Sequence, residues 1–252
     1  MPLEPVTSNK YRVKPVLILQ HQLPENAAYL TTWLNARGID YRIANAGAGE
    51  EFPASIEPYS ALAVMGGGMS ANDDLPSNHQ AMRLIQQAIK NYNIPVVGHC
   101  LGGQLMARAL GGTIQSSPRP EIGWQSIVYE NDPLVEEWFG PDPTDTVIHW
   151  HYESFSIPYG AVRLARSPSC PNQAFAYGKH LAMQFHIEIN EVKIDSWVND
   201  DDPKWTQARQ LYESVQDKIT MLNGVHYHLE KHQSTADRIY TNWLRTTEWS
   251  VV

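Results

Sequence analysis

Over the first hundred positions, apolar residues come in short unbroken runs, separated by stretches whose apolar residues recur three and four apart. The runs read as buried strands and the spaced stretches as amphipathic helices. Lys14-Pro15-Val16-Leu17-Ile18-Leu19-Gln20 predicts the first strand, with His21 and Gln22 at its carboxyl end. Residues Glu25 to Arg37 predict a helix with Ala27, Leu30, Trp33 and Leu34 on one face and Gly38 as its stop. Ile39 to Ala44 follows as a strand, and Ala61 to Met65 as another that runs into Gly66-Gly67-Gly68. Ser77 is placed to cap a helix whose stripe is Ala81, Met82, Ile85, Ala88, Ile89 and Tyr92. A strand from Ile94 to Val97 and a helix through Leu105 to Leu110 close this half. Strands alternating with helices imply an α/β fold, a parallel sheet with helices on both faces and ligands at the carboxyl ends of the strands.

After Gly111-Gly112 the pattern shortens. Trp124–Tyr129, Thr146–Trp150, Ala161–Ala165, Gln173–Tyr177 and Leu181–His186 read as short strands of a mixed, partly antiparallel section without long helices. From Asp202-Pro203 the chain is expected to be helical. One stripe comprises Trp205, Ala208, Leu211, Tyr212, Val215, Ile219 and Leu222 and ends at Asn223-Gly224; Ala236, Ile239, Tyr240, Trp243 and Leu244 make another. With no internal repeat and no linker, residues 1–252 read as one domain, with 190–252 a helical C-terminal appendage.

Composition narrows the function classes. Of 252 residues, 42% are hydrophobic and 18% charged, as in globular proteins, and the net charge of −8 argues against a nucleic-acid surface. No apolar run approaches the ~18 residues of a membrane span. Met1 to Pro15 is polar and proline-punctuated, which predicts no leader, and two cysteines fit a reducing compartment, so the cytoplasm is expected. Cys170, in Ser-Pro-Ser-Cys-Pro, reads as a loop or packing residue.

The chemistry concentrates at Val96-Val97-Gly98-His99-Cys100-Leu101-Gly102-Gly103-Gln104. A strand, a sharp turn and a helix with a cysteine at the apex is the geometry of a nucleophile elbow. Glycines around the apex permit the turn and close strand–helix packing, and the helix N-terminus favours a thiolate. A nucleophilic cysteine needs a base, and the base needs an orienting acceptor. Among ten histidines, His186 stands out in Gln184-Phe185-His186-Ile187-Glu188, because residues two apart on a strand share a face and Glu188 can then hold the imidazole. His228 and His232 have the i, i+4 spacing of metal ligands but lack the glutamate of His-Glu-x-x-His, so no metal and no cofactor is expected.

Together these two motifs resemble the class I (triad) glutamine amidotransferases, and among them the stand-alone members similar to the amidotransferase domain of GMP synthetase. Met65-Gly66-Gly67-Gly68-Met69-Ser70-Ala71-Asn72-Asp73 resembles that group's oxyanion strand, and Glu121-Ile122-Gly123-Trp124 and His149-Trp150-His151-Tyr152-Glu153-Ser154-Phe155 also look like it. The resemblance implies a flavodoxin-like sheet, a triad of Cys100, His186 and Glu188, and an oxyanion hole from the backbone amides of Gly67 and Leu101. Substrate contacts would come from Gly66, Gln104 and the backbone around Ser154 and Phe155. Two positions depart from the group: Gly68 and Ile187 stand where it usually has proline.

Three functions follow as alternatives. The first is a glutaminase that hydrolyses glutamine through a γ-glutamyl thioester and passes ammonia to a partner synthetase, since the chain shows no P-loop and no acceptor domain of its own. The second is a γ-glutamyl peptidase acting on a conjugate. The third is a non-enzymatic redox sensor built on Cys100, against which the paired His186 and Glu188 count. A small-molecule substrate, and neither nucleic acid nor membrane, is the expected ligand.

Overall fold

A computed structural model describes residues 13–23, 26–200 and 202–251. Glu25 and most of the Met1–Pro15 stretch lie outside the described residues. The elements in chain order are β1 (Val16–Gln20), α1 (Ala28–Ala36), β2 (Tyr41–Asn45), β3 (Ala61–Val64), α2 (Pro76–Gln86, prolonged by a π-helical stretch to Tyr92), β4 (Val96–His99) and α3 (Leu101–Ala109). Then come β5 (Ile114–Ser126), β6 (Val128–Tyr129), α4 (Pro133–Phe139), β7 (Thr146–Phe155), β8 (Val162–Arg166), β9 (Ala174–Tyr177) and β10 (His180–Met183). Three helices follow: α5 (Glu191–Val198), α6 (Pro203–Leu211) and α7 (Lys218–Leu244).

The main sheet has the order β2-β1-β3-β4-β10-β9-β8-β6. β2, β1, β3, β4 and β10 run parallel, and β9, β8 and β6 continue antiparallel, as the two textures of the sequence imply. Alternation along the strands sends side chains to two cores. Val16 and Ile18 join Leu30, Trp33, Trp138, Phe139, Tyr240 and Trp243 on one face, while Leu17 and Leu19 join Ala81, Ile85, Leu101 and Leu105 on the other. The last half of α7 is therefore part of the main core. β5 and β7 form a separate antiparallel ribbon, whose Ile122, Trp124 and Ile148 pack on α5, α6 and the first half of α7.

Several boundaries differ from expectation for identifiable reasons. Ser77 does not cap α2: Leu75 holds that position in an extended conformation, and Pro76 opens the helix with its pre-set φ. The helix α1 begins at Ala28, where the Asn26 side chain accepts from the Ala28 amide and Tyr29 donates to the Glu188 carbonyl. A short helix, α5, capped by Asn190, precedes the expected helical start at Asp202. The stripe from Trp205 to Leu222 is broken because Ser214–Gln216 pairs with β5 around Ile122 as a short parallel bridge. Asn223-Gly224 does not end a helix. α7 runs through it because its backbone passes directly over Trp124, where an added Cβ would sit 2.2 Å from the indole Cδ1.

The close approach at Gly224 makes a prediction. In an exposed helix, alanine would gain about 1 kcal/mol over glycine, but overpacking against a buried indole costs about 1–3 kcal/mol. Gly224→Ala is expected to lower stability, read as a reduced urea midpoint; an unchanged or raised midpoint would contradict this packing.

Candidate active site

The elbow forms as the sequence implies. Cys100 links β4 to α3 at φ 49°, ψ −107°, a conformation that costs a non-glycine residue about 1–3 kcal/mol. Its amide donates to the Met183 carbonyl of β10 at 2.8 Å, and its own carbonyl accepts from Gln104, which pins the apex between the neighbouring strand and the helix. Packing here excludes any side chain at Gly102, where a Cβ would lie 2.0 Å from the Val64 carbonyl oxygen. It likewise requires glycine at Gly98, which faces the Gly102 backbone at 2.6 Å.

Cys100 and His186 line one cavity of about 790 Å³ at the carboxyl ends of β3 and β4. Behind them, His186 Nδ1 lies 2.7 Å from Glu188 Oε1, and Glu188 is fully buried. His186 and Glu188 lie past the end of β10, where the His186 amide donates to the Ile148 carbonyl, so the strand-like spacing persists after the main ladder ends.

Burial by itself pushes the His186 pKa down. Glu188 and the Cys100 sulfur, through charge and hydrogen bonding, outweigh it and hold the imidazole up at about 10. The contrast with His21 and His99 is direct: both are buried, and both are pushed down to about 4. Glu188 is held well below the usual carboxylate range although burial alone would raise it, because Lys193 and His186 stand beside it. Lys193 was not anticipated. Its Nζ reaches Glu188 Oε1 at 3.1 Å and the Asn26 carbonyl at 2.9 Å, and it is nearly as buried as the carboxylate. Its place in the first turn after the Asn190 cap, five residues beyond Glu188, was readable only once α5 was recognised.

Gly67 sits against Leu101, whose Cδ2 would lie 2.9 Å from a Cβ at that glycine, so the two chain segments meet beside the thiol. Neither the Gly67 nor the Leu101 amide has an acceptor among the described residues. Gly66 faces the His186 ring, with a Cβ position 2.9 Å from Cε1. At Gly68, where proline is usual in the group the chain resembles, the amide donates to Gln22 Oε1 at 2.8 Å, a tether that proline could not make. Ile187 is fully buried in the main core.

Gln104 lines the cavity, donating to the Glu153 carbonyl at 3.1 Å and to Gln184 Oε1 at 3.3 Å. Gln184 in turn donates to Cys100 Sγ at 3.5 Å; it was not singled out, though it precedes His186 by two and so shares its face. The Ser154 and Phe155 side chains turn away from the cavity: Ser154 bonds to the Asn172 carbonyl, and Phe155 packs edge-on against Phe175. Trp150, His151, Tyr152 and Glu153 of the same strand line the wall, and Trp197, Asp200, Asp202, Pro203 and Lys204 complete it. His228 and His232 flank the Trp124 ring at 5.2 and 5.4 Å, a packing arrangement.

A family model for class I glutamine amidotransferases matches residues 30–202. The chain belongs to the class I glutamine amidotransferase family. It is similar to the glutamine amidotransferase-like protein YfeJ of Salmonella typhimurium, 31% identical over 185 residues that cover 68% of this chain and 76% of YfeJ. The crystal structure of a glutamine amidotransferase from Methylobacillus flagellatus superposes with a TM-score of 0.86 at 33% identity, covering 94% of this chain and 96% of that one. GMP synthase of Acetivibrio thermocellus is 33% identical over 98 residues, 38% of this chain but 19% of that enzyme. The flavodoxin-like sheet flanked by helices is thus the family's fold, and no described helix is long and apolar enough to cross a membrane.

The raised His186 pKa links protonation to stability. The unfolded value is 6.5 and the folded one about 10. Its stabilisation is therefore complete below pH 6.5 and is lost as pH rises through about 10. Between pH 7 and 10.5, roughly spanning that window, the urea midpoint of the wild type is expected to fall more steeply than that of His186→Gln. Parallel curves would contradict the assignment.

Proposed function

We propose that this family member hydrolyses the side-chain amide of glutamine and releases ammonia, with Cys100 as nucleophile, His186 as acid and base, and Glu188 as orienting carboxylate. The observation that carries this reading is the shared cavity of Cys100 and His186, with Glu188 2.7 Å behind the imidazole. The Cys100 thiolate attacks the amide carbon, and the electron pair of the C=O bond moves onto oxygen, where the Gly67 and Leu101 amides donate to it. As the intermediate collapses, the C–N bond breaks and His186 gives its proton to the departing nitrogen, which leaves as ammonia. The γ-glutamyl thioester remains. Water, giving a proton to the now neutral His186, attacks the thioester; the C–S bond breaks, glutamate leaves, and the thiolate and the protonated imidazole are restored. Gly66, Gln104 and the strand around Ser154 and Phe155 would hold the amino acid end of the substrate.

Ammonia made here would serve a separate synthetase, a reading supported by the similarity to GMP synthases, of whose length this chain spans between 19% and 30%. A cytoplasmic location agrees with two unpaired thiols, Cys100 and Cys170.

One observation favours a second reading. The cavity of about 790 Å³ extends past the thiol to Trp197, Asp200, Asp202 and Lys204, which leaves more room than free glutamine fills. A γ-glutamyl conjugate would use that space for its leaving amine, with the same chemistry at Cys100.

The test is a substrate panel of glutamine and γ-glutamyl amides, assayed for ammonia or released amine. Turnover of glutamine above every conjugate supports the first reading, and preference for a conjugate the second. Cys100→Ala is expected to abolish turnover, a loss of at least ~10⁴-fold, and Glu188→Gln to lower kcat by about 10²–10⁴-fold through loss of imidazole orientation. Undiminished turnover in Cys100→Ala would overturn both readings.

A further inference from the structure

We propose that Glu121, His149 and His151 form a binding site for a divalent transition-metal ion of the zinc class, bracing the ribbon that walls the catalytic cavity. His149 and His151 are two apart on β7 and share a face, and Glu121 is the cross-strand partner of His151 on β5. All three are buried, and their donor atoms lie within 4.8 Å of one another. Small side-chain rotations bring such a set to ~2.1 Å from one ion, and two imidazoles with a carboxylate are a donor set that zinc favours. The ladder between β5 and β7 shifts register just before Glu121, an irregularity of the kind that re-aims side chains at sites.

Two further observations point to a cation. His149 is fully buried, and neither of its ring nitrogens has a hydrogen-bond partner among the described residues. His151 Nδ1 lies 3.2 Å from the Glu153 carbonyl, which can only accept, so Nδ1 carries the proton; the Ser117 hydroxyl lies 3.4 Å from the same nitrogen. His151 Nε2 is then the ring nitrogen that faces Glu121 Oε2, 3.2 Å away and not aligned with it as a hydrogen bond. A spacing near 3.2 Å is also close to that of neighbouring ligands around a tetrahedral ion. The outer contacts suit ligands as well. Glu153 orients His151, and Gln173 Nε2 donates to Glu121 Oε2 at 2.6 Å while also donating to Ser167 Oγ. Between the two histidines lies Trp150, whose carbonyl is 3.7 Å from Cys100 Sγ, so an ion here would hold in place the strand that faces the thiol.

The experiment uses the full chain, stripped with chelator and desalted, then titrated with Zn²⁺ and with Co²⁺. One equivalent retained through gel filtration, with a Co²⁺ visible spectrum of nitrogen and oxygen ligation and no thiolate charge-transfer band, is expected. His149→Gln and Glu121→Gln, checked for folding by circular dichroism, should weaken binding by ~100-fold or more, while Cys100→Ser binds as the wild type does. The wild-type spectrum decides the matter even where a variant fails to fold. Absence of stoichiometric binding would overturn the site. A thiolate band, or binding lost in Cys100→Ser and kept in His149→Gln, would overturn it by placing the metal on the reactive sulfur. None of these outcomes bears on whether glutamine is the substrate.

Discussion

A carboxylate with no exposure to water sits at the centre of this molecule. Glu188 is tolerable there only because two cations approach the same oxygen, His186 at 2.7 Å and Lys193 at 3.1 Å. Each contact recruits a different part of the chain. His186 follows the last parallel strand, Lys193 belongs to α5, and the Glu188 carbonyl receives the Tyr29 amide at the start of α1. Removing either cation would leave the buried carboxylate with a single charged partner, so the segments that carry these groups are bound to one another by electrostatics as well as by packing.

Cys100 is placed by a different physical constraint. It holds a left-handed backbone angle that its surroundings over-determine: the Met183 carbonyl on one side, α3 on the other, and Gly98 and Gly102 where strand and helix touch backbone to backbone. The sheet supplies rigidity, and the strain is localised at one residue. The departure at Gly68 shows the same demand met by another route. Where proline would stiffen the glycine segment after β3 covalently, a hydrogen bond from the free amide of Gly68 to Gln22 tethers it.

The C-terminal helices serve core and cavity together. The last half of α7 buries Ile239, Tyr240 and Trp243 against the main sheet, while its first half passes over Trp124 of the ribbon. The α5–α6 junction supplies the outer wall of the cavity through Trp197, Asp200, Asp202 and Lys204. Trp197 also meets His186 edge-on at 4.7 Å, so this segment bears on the imidazole as well as on the room in the cavity.

What the sequence by itself determined was local. Strands β1, β3 and β4, the elbow and the pairing of His186 with Glu188 all depend on residues within a few positions of one another, where apolar runs, glycine spacing and the two-residue period of extended chain carry the information. What only the tertiary structure decided was which distant segments meet. Lys193 joins Glu188 through a short helix whose Ile194, Trp197 and Val198 pack under the ribbon, and the break before α7 comes from an added bridge to Ile122. Helix α7 continues through Gly224 because an indole from β5 occupies the space of a side chain. Glu121, His149 and His151 converge because two strands pair across a shifted register. Burial, close approach and cross-strand register are properties of the assembled chain, and a linear pattern of polar and apolar residues does not encode them one position at a time.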